Sequence, residues 1–330
     1  MKFDVIIGNP PYQMSDGGGG NEISAKPIYN DFIEQAKKLN PRHLVMIIPA
    51  RWYAGGKGLD RFRNEMLSDT RIRTIHDYPK SRECFPGVDI AGGVCYFHWD
   101  RDYRGNCEFV TRINDAKYTA IRSLDEFDIL IRDPFGISII HKVNRERDLK
   151  FSSVVLSRNS FGFSTSARGV REHFPGSVVL NSSQGVSYVK RDEVTRNVGL
   201  LDKYKVSIGT LNPDRAGVNN ASDGKMNVTT KVRVLCPNEV VTETYIVVGC
   251  FDNHEEAIRC AQYIRTKFSR YLISLTLSSM HIVKDNFRFV PIQDFSQPWT
   301  DEKLYKKYNL SQEEIDFIES MIRPMELADA

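Results

Sequence analysis

A chain of 330 residues is long enough for one large or two ordinary domains, and 41% hydrophobic with 26% charged residues is the balance of a folded globular protein. No apolar run approaches the roughly 18 residues of a membrane-spanning helix, and no signal peptide opens the chain, so the expected location is the cytoplasm. Six cysteines without a C-x-x-C pair or zinc spacing, together with a net charge of +3, argue against a disulfide scaffold, a metal centre and a partner dictated by bulk charge.

Phe3 to Gly8 is a short apolar run rich in β-branched residues, the pattern of a buried strand. It delivers Asn9-Pro10-Pro11-Tyr12 at its carboxyl end, the position where open α/β sheets bind ligands. The chemistry this tetrapeptide suits follows from its atoms. The exocyclic amine of a nucleobase is a poor nucleophile because its lone pair is delocalised into the ring. Two acceptors set against its two N–H bonds localise that pair. The Asn9 side-chain oxygen is one, and the Pro10 carbonyl, held rigid between two prolines, is the other. Tyr12 offers a flat face for a base that has left the duplex. The bland alternative is a strand end followed by a Pro-Pro turn.

Ser15 to Asn21 contains four consecutive glycines but lacks the spacing of a phosphate loop, and reads as a loop beside a site. A helix over Lys26 to Leu39 turns Ile28, Phe32, Ile33, Ala36 and Leu39 inward. Leu44 to Ile48 is a second strand, Leu59 to Leu67 a second helix, and Ile72 to Tyr78 a third strand. That alternation predicts a mostly parallel sheet flanked by helices. Gly92 to Trp99 and Cys107 to Thr111 are further strands, joined by a tight turn at Arg104-Gly105-Asn106.

At this point the chain resembles a known family. GNPPYQ, IIPARWYAGGKGL-x-RFR and CFPGVDIAGGVCYF within Phe3 to Trp99 look like the amino-group DNA adenine methyltransferases from their catalytic motif onward. The similarity is greatest to the methylase regions of single-chain restriction-modification enzymes, and VPIQDFSQPWTDEKLYKKYNLSQEEIDFIE reads like the tail of the same proteins. The resemblance implies that Asn9 and Pro10 hold the target amine, that Pro11 completes the motif, and that Tyr12 stacks on a flipped adenine. It implies a second stacking aromatic, for which Phe85 is the candidate. It implies S-adenosyl-L-methionine as methyl donor and double-stranded DNA as substrate. The family binds the donor through a Gly-rich loop and acidic residues on strands preceding the motif, so a split enzyme completed by a second polypeptide, or a truncated form, is the expectation. The donor-binding residues stay unassigned.

The expected fold is thus α/β: a partial Rossmann-like methyltransferase sheet over residues 1–112, a helical connector over 113–150, an α+β target-recognition domain over 151–300 and a helical tail over 301–330. Arg158, Arg168, Arg171, Lys190, Arg191, Lys203, Lys205 and Arg215, interleaved with hydroxyl and amide residues, are the candidate DNA contacts. Asp214, Asp223 and Lys225 superficially match the metal-binding pattern of restriction nucleases, but their short spacing and Gly/Asn-rich surroundings read as a loop, and no metal is expected. Asn253 and Glu256, and Ser311 and Glu314, have capping-box spacing at the starts of two C-terminal helices. The rival reading is a non-catalytic DNA-binding or specificity subunit, with a Mg²⁺-dependent nuclease further behind.

Overall fold

The computed structural model describes residues 3–14, 26–55, 58–113, 116–144, 149–214, 223–278 and 281–325. The chain divides into two compact units, Met1–Ile137 and Ser138–Ala330. In the first, β1 (Val5–Gly8) leads through a short ladder of β2 (Gln13–Met14) and β3 (Lys26–Pro27) into α1 (Tyr29–Lys38), followed by β4 (His43–Pro49), α2 (Asp60–Leu67), β5 (Ile72–Tyr78), β6 (Val94–Asp100), β7 (Cys107–Ile113) and β8 (Ala116–Arg122). The six long strands form one sheet in the order β1-β4-β6-β5-β7-β8.

The sheet is mixed, not mostly parallel. β1 runs parallel to β4 and β5 to β7, whereas β6 enters between β4 and β5 antiparallel to both, and β8 returns antiparallel on β7. The reason lies in residues 79–93, which fold as an irregular loop. A parallel neighbour needs a crossover, usually an α-helix, and only one 3-10 turn, Ser81–Glu83, is built there. Nor do β6 and β7 form the hairpin expected from Arg104–Asn106, because β5 lies between them.

One face of this sheet is buried. Leu44, Met46 and Ile48 of β4 pack with Phe97 and Trp99 of β6 against Ile33, Phe62 and Met66 of the helices. Phe32, expected inward, is 46% exposed, since the buried stripe of α1 runs through Tyr29, Ile33 and Ala36. Asp69 knots the far edge of the core, accepting from Lys37 Nζ at 2.8 Å, Arg71 Nε at 2.6 Å and Trp99 Nε1 at 2.9 Å. Although burial acts against it, these donors hold its carboxyl far below the usual carboxylate range. β1 pairs only with β4 among the described residues, and its Val5 and Ile7 are 51% and 75% exposed.

The segment expected as a helical connector is strand β8, then a loop, and only then α3 (Gly136–Asn144). In the second unit β9 (Ser177–Ser182) and β10 (Gly185–Lys190) form a hairpin, β11 (Tyr204–Gly209) pairs with β12 (Arg233–Leu235), β13 (Glu239–Val241) joins β9, and β14 (Tyr245–Phe251) joins β11. Helices α4 (His254–Arg265), α5 (Lys267–Ser274), α6 (Asp301–Lys307) and α7 (Gln312–Met321) complete it. The last two are no detached tail. Asp301 caps α5 by accepting from Lys267 and Phe268 amides, and Phe268 stacks on Tyr308 at 5.2 Å. Ser311 and Glu314 make the expected reciprocal cap, while Asn253 caps α4 through the Glu255 amide. No helix among the described residues is long and apolar enough to cross a membrane.

Candidate functional site

The edge strand β1 ends at Gly8, where an added Cβ would meet Met46 Sδ at 2.9 Å, and hands the chain to Asn9. The tetrapeptide then crosses the sheet end to a fixed anchor, the Tyr12 carbonyl accepting from the Ile28 amide at 3.2 Å. Asn9 and Pro11 are exposed, Pro10 is buried and Tyr12 is half-buried. Among the described residues neither the Asn9 carboxamide nor the Pro10 carbonyl is engaged in a hydrogen bond.

These residues form one wall of a cleft of about 740 Å³, within the usual range of roughly 300–1,000 Å³ for small-molecule sites. Tyr29, at the start of α1, contributes a second wall, Pro49 and Arg51 after β4 a third, and Asp89-Ile90-Ala91 a fourth. The hydroxyls of Tyr12 and Tyr29 are buried and have no hydrogen-bond partner among the described residues. Burial raises the pKa of both, aided at Tyr12 by Cys95 and Cys84 and at Tyr29 by Cys95, so each ring stays neutral. Cys95 is itself buried, its thiol pushed up to about 12 by that burial, and is no nucleophile at neutral pH. Arg51 is exposed and has no ion-pair partner among the described residues. Asp89 faces Arg82 at 3.6 Å.

The Asp89 wall belongs to the loop between β5 and β6, which is held in three ways. Buried Ser81 donates to the Val88 carbonyl and accepts from the Ile90 amide, at 2.9 and 2.8 Å. Gly93 (φ +78°) lies where a Cβ would come within 2.2 Å of the Tyr78 carbonyl oxygen. Arg132 reaches from beyond β8 to donate to the Gly92 carbonyl at 2.9 Å while ion-paired with buried Asp77. Sequence reasoning missed these three supports and Tyr29. Only the glycine pair had a local signal. Phe85 sits half-buried in the same loop but is not among the residues lining the cleft, where Ile90 and Ala91 stand instead.

The cleft therefore offers unengaged amide-type acceptors beside aromatic and proline surfaces, a set suited to a flat base carrying an amine. It does not by itself fit S-adenosyl-L-methionine. In nucleotide-binding α/β folds an acidic side chain holds the ribose diol, and the one carboxylate in the described lining, Asp89, already faces Arg82.

The basic residues of the second unit have unequal surroundings. Arg168 and Arg171 are exposed, but Arg168 spends Nη1 on the Thr165 and Ala167 carbonyls and Nε on Gln184. Lys190 is exposed. Arg158 lies 3.6 Å from Glu243, Arg191 pairs with Asp202 and Lys203 with Asp252. Lys205 must be withdrawn as a DNA contact. It is fully buried, and its ammonium donates to the carbonyls of Leu200, Leu201 and Lys203. Arg215 lies outside the described residues. The nuclease-like carboxylates are separately committed, Asp214 to the Val228 amide and Asn227, Asp223 to Arg323.

Residues 1–85 match the Eco57I restriction-modification methylase family. An uncharacterized adenine-specific methylase of Mycoplasma pneumoniae is 42% identical over 125 residues, 37% of this chain and 30% of the relative's length. The chain thus spans less than a third of that protein. Among solved structures, the type IIL restriction-modification enzyme MmeI in complex with DNA is similar over 86% of this chain and 45% of its own, at 8% identity and a TM-score of 0.45. The type IIG restriction endonuclease BpuSI is similar over 97% and 54%, at 9% identity and a TM-score of 0.36.

Proposed function

We propose that this chain supplies the base-holding half of a DNA adenine N6-methyltransferase of a restriction-modification system. The observation that carries the reading is the Asn9 carboxamide and Pro10 carbonyl, unengaged among the described residues, at the wall of a cleft of about 740 Å³. The match of residues 1–85 to a restriction-modification methylase family, and the adenine-specific name of the relative, support it.

In this reading an adenine is extruded from the duplex. Asn9 Oδ1 and the Pro10 carbonyl accept its two amine N–H bonds and draw the lone pair out of conjugation. Pro11 fixes the backbone that aims them. Tyr12, its hydroxyl neutral, stacks on the ring. No side chain need remove a proton first, because the amine attacks as a neutral nucleophile and sheds its proton afterwards. Exposed cations of the second unit, Arg171 and Lys190 foremost, hold the DNA backbone.

The donor's contacts come from elsewhere, on a second polypeptide or another segment laid along the open edge of β1. The exposed Val5 and Ile7 and the incomplete donor set of the cleft support this. Those same features favour a second reading, a DNA-binding or specificity subunit that transfers no methyl group. Transfer of labelled methyl from S-adenosyl-L-methionine to DNA by the complemented wild type, lost in Asn9→Ala, supports the enzyme. Equal transfer by both chains refutes it.

A further inference from the structure

Histidine spacing along the chain suggests no metal site, yet the register of β4 against β6 brings three ligand-bearing side chains together. His43 pairs directly with Asp100 across the antiparallel ladder, and His98 lies two residues before it. His43 Nδ1 and His98 Nε2 stand 3.1 Å apart, Asp100 Oδ2 lies 3.9 Å from His43 Nδ1, and all three ligand atoms fall within 4.8 Å of one another. Metal–ligand bonds of about 2.0–2.1 Å at tetrahedral angles put ligand atoms roughly 3.3 Å apart, so the two imidazoles already hold the required spacing and the carboxylate needs only a small side-chain rotation.

The supporting contacts also suit a ligand. Asp100 Oδ1 accepts from the Asp102 amide at 3.0 Å, which fixes the carboxylate and leaves Oδ2 turned toward the rings. Arg73, the competing cation, stays 3.8 Å from Oδ2 with its guanidinium over the Tyr103 ring. His43 is one-third exposed, which leaves room for a water as fourth ligand.

We propose that His43, His98 and Asp100 form a binding site for a borderline divalent transition ion such as Zn²⁺, completed by water. Two imidazoles and one carboxylate, without thiolate, suit zinc or cobalt and not the all-oxygen shells of Mg²⁺ or Ca²⁺. The site lies at the start of β4, six residues from Pro49 at the cleft end, about 20 Å along the strand. Its role is to staple β4 to β6, independent of whether the cleft binds a base.

The test is titration of the EDTA-stripped full chain with Co²⁺, read from its visible d–d absorption, with Zn²⁺ competition. The expected result is one tetrahedral equivalent displaced by Zn²⁺, with affinity lowered at least about 100-fold in both His98→Ala and Asp100→Asn. Retention is expected in His76→Ala, on a neighbouring strand, and in Cys236→Ser, which removes an exposed thiol. Zn²⁺ should raise the melting temperature of wild type and not of Asp100→Asn, a variant that preserves the side chain's shape. Absence of stoichiometric binding, undiminished affinity in the His98 and Asp100 variants, or loss in Cys236→Ser overturns the proposal.

Discussion

Arg132 grips Asp77 through two parallel hydrogen bonds, Nη2 to Oδ1 at 2.5 Å and Nε to Oδ2 at 3.0 Å, 55 positions apart in the chain. Thr111 donates to the same carboxylate at 2.9 Å, and the remaining Arg132 nitrogen holds Gly92. A bidentate guanidinium thus joins the end of β5 to the loop that walls the cleft. Because Asp77 is fully buried, Arg132→Met leaves a charge without its partner. The expected cost is about 3–5 kcal/mol. Urea unfolding followed by the fluorescence of Trp52 and Trp99 checks it, and a shift below 1 kcal/mol would remove this clamp from the account.

Gly93 is the tightest backbone approach in the same loop. Gly93→Ala forces a Cβ against the Tyr78 and Pro79 carbonyls at a positive φ, with an expected loss of at least about 2 kcal/mol. Gly87→Ala, at φ +82° but with nothing within 4 Å, should cost only the conformational strain of roughly 1–2 kcal/mol. Thermal melts of the two variants decide between steric closure and mere conformational preference.

Glu314 gives the second unit a pH dependence. Burial pushes its pKa up, but hydrogen bonds from Lys142, Ser138 and the Ser311 amide outweigh that and lower it. A carboxyl depressed in the folded state contributes stability that is complete above its ordinary value of 4.5 and is lost as pH falls through the lower folded value. Glu314→Gln should therefore destabilise by about 1–3 kcal/mol at pH 7 and narrow its difference from wild type at pH 3. Unfolding monitored at Trp299 measures both, and a pH-independent difference would contradict the assignment.

The elements with strong local periodicity, β4, α2, β5 and the Ser311 cap, were readable because their signals lie within one turn or one strand. That Asn9 to Tyr12 follow the end of a strand was readable for the same reason, and they line the cleft. What could not be read was set by pairing between distant strands. β6 entering antiparallel between β4 and β5 turned an expected parallel sheet into a mixed one. Likewise nothing near Arg132 or His43 in sequence points to Asp77 or His98. Lys205 looked like its exposed neighbours because charge patterning does not reveal that three carbonyls await an ammonium below the surface.

The DNA contacts proposed for the second unit separate these lysines and arginines. Arg171→Ala and Lys190→Ala are each expected to weaken affinity at all sequences and to lower the salt slope by about 1. Lys205→Met should leave the slope unchanged while altering stability. Filter binding across a salt series checks this, and an undiminished slope in the first two variants would move the DNA surface elsewhere.

The central claim concerns two acceptors and one amine, and it can be measured without a methyl donor or a known target sequence. Single-stranded pyrimidine oligonucleotides carrying one adenine, or one N6,N6-dimethyladenine that has no N–H to give, are titrated against wild type and Asn9→Ala. The account predicts at least about tenfold preference for adenine in wild type, and none in Asn9→Ala. Equal affinity of wild type for both bases would contradict it.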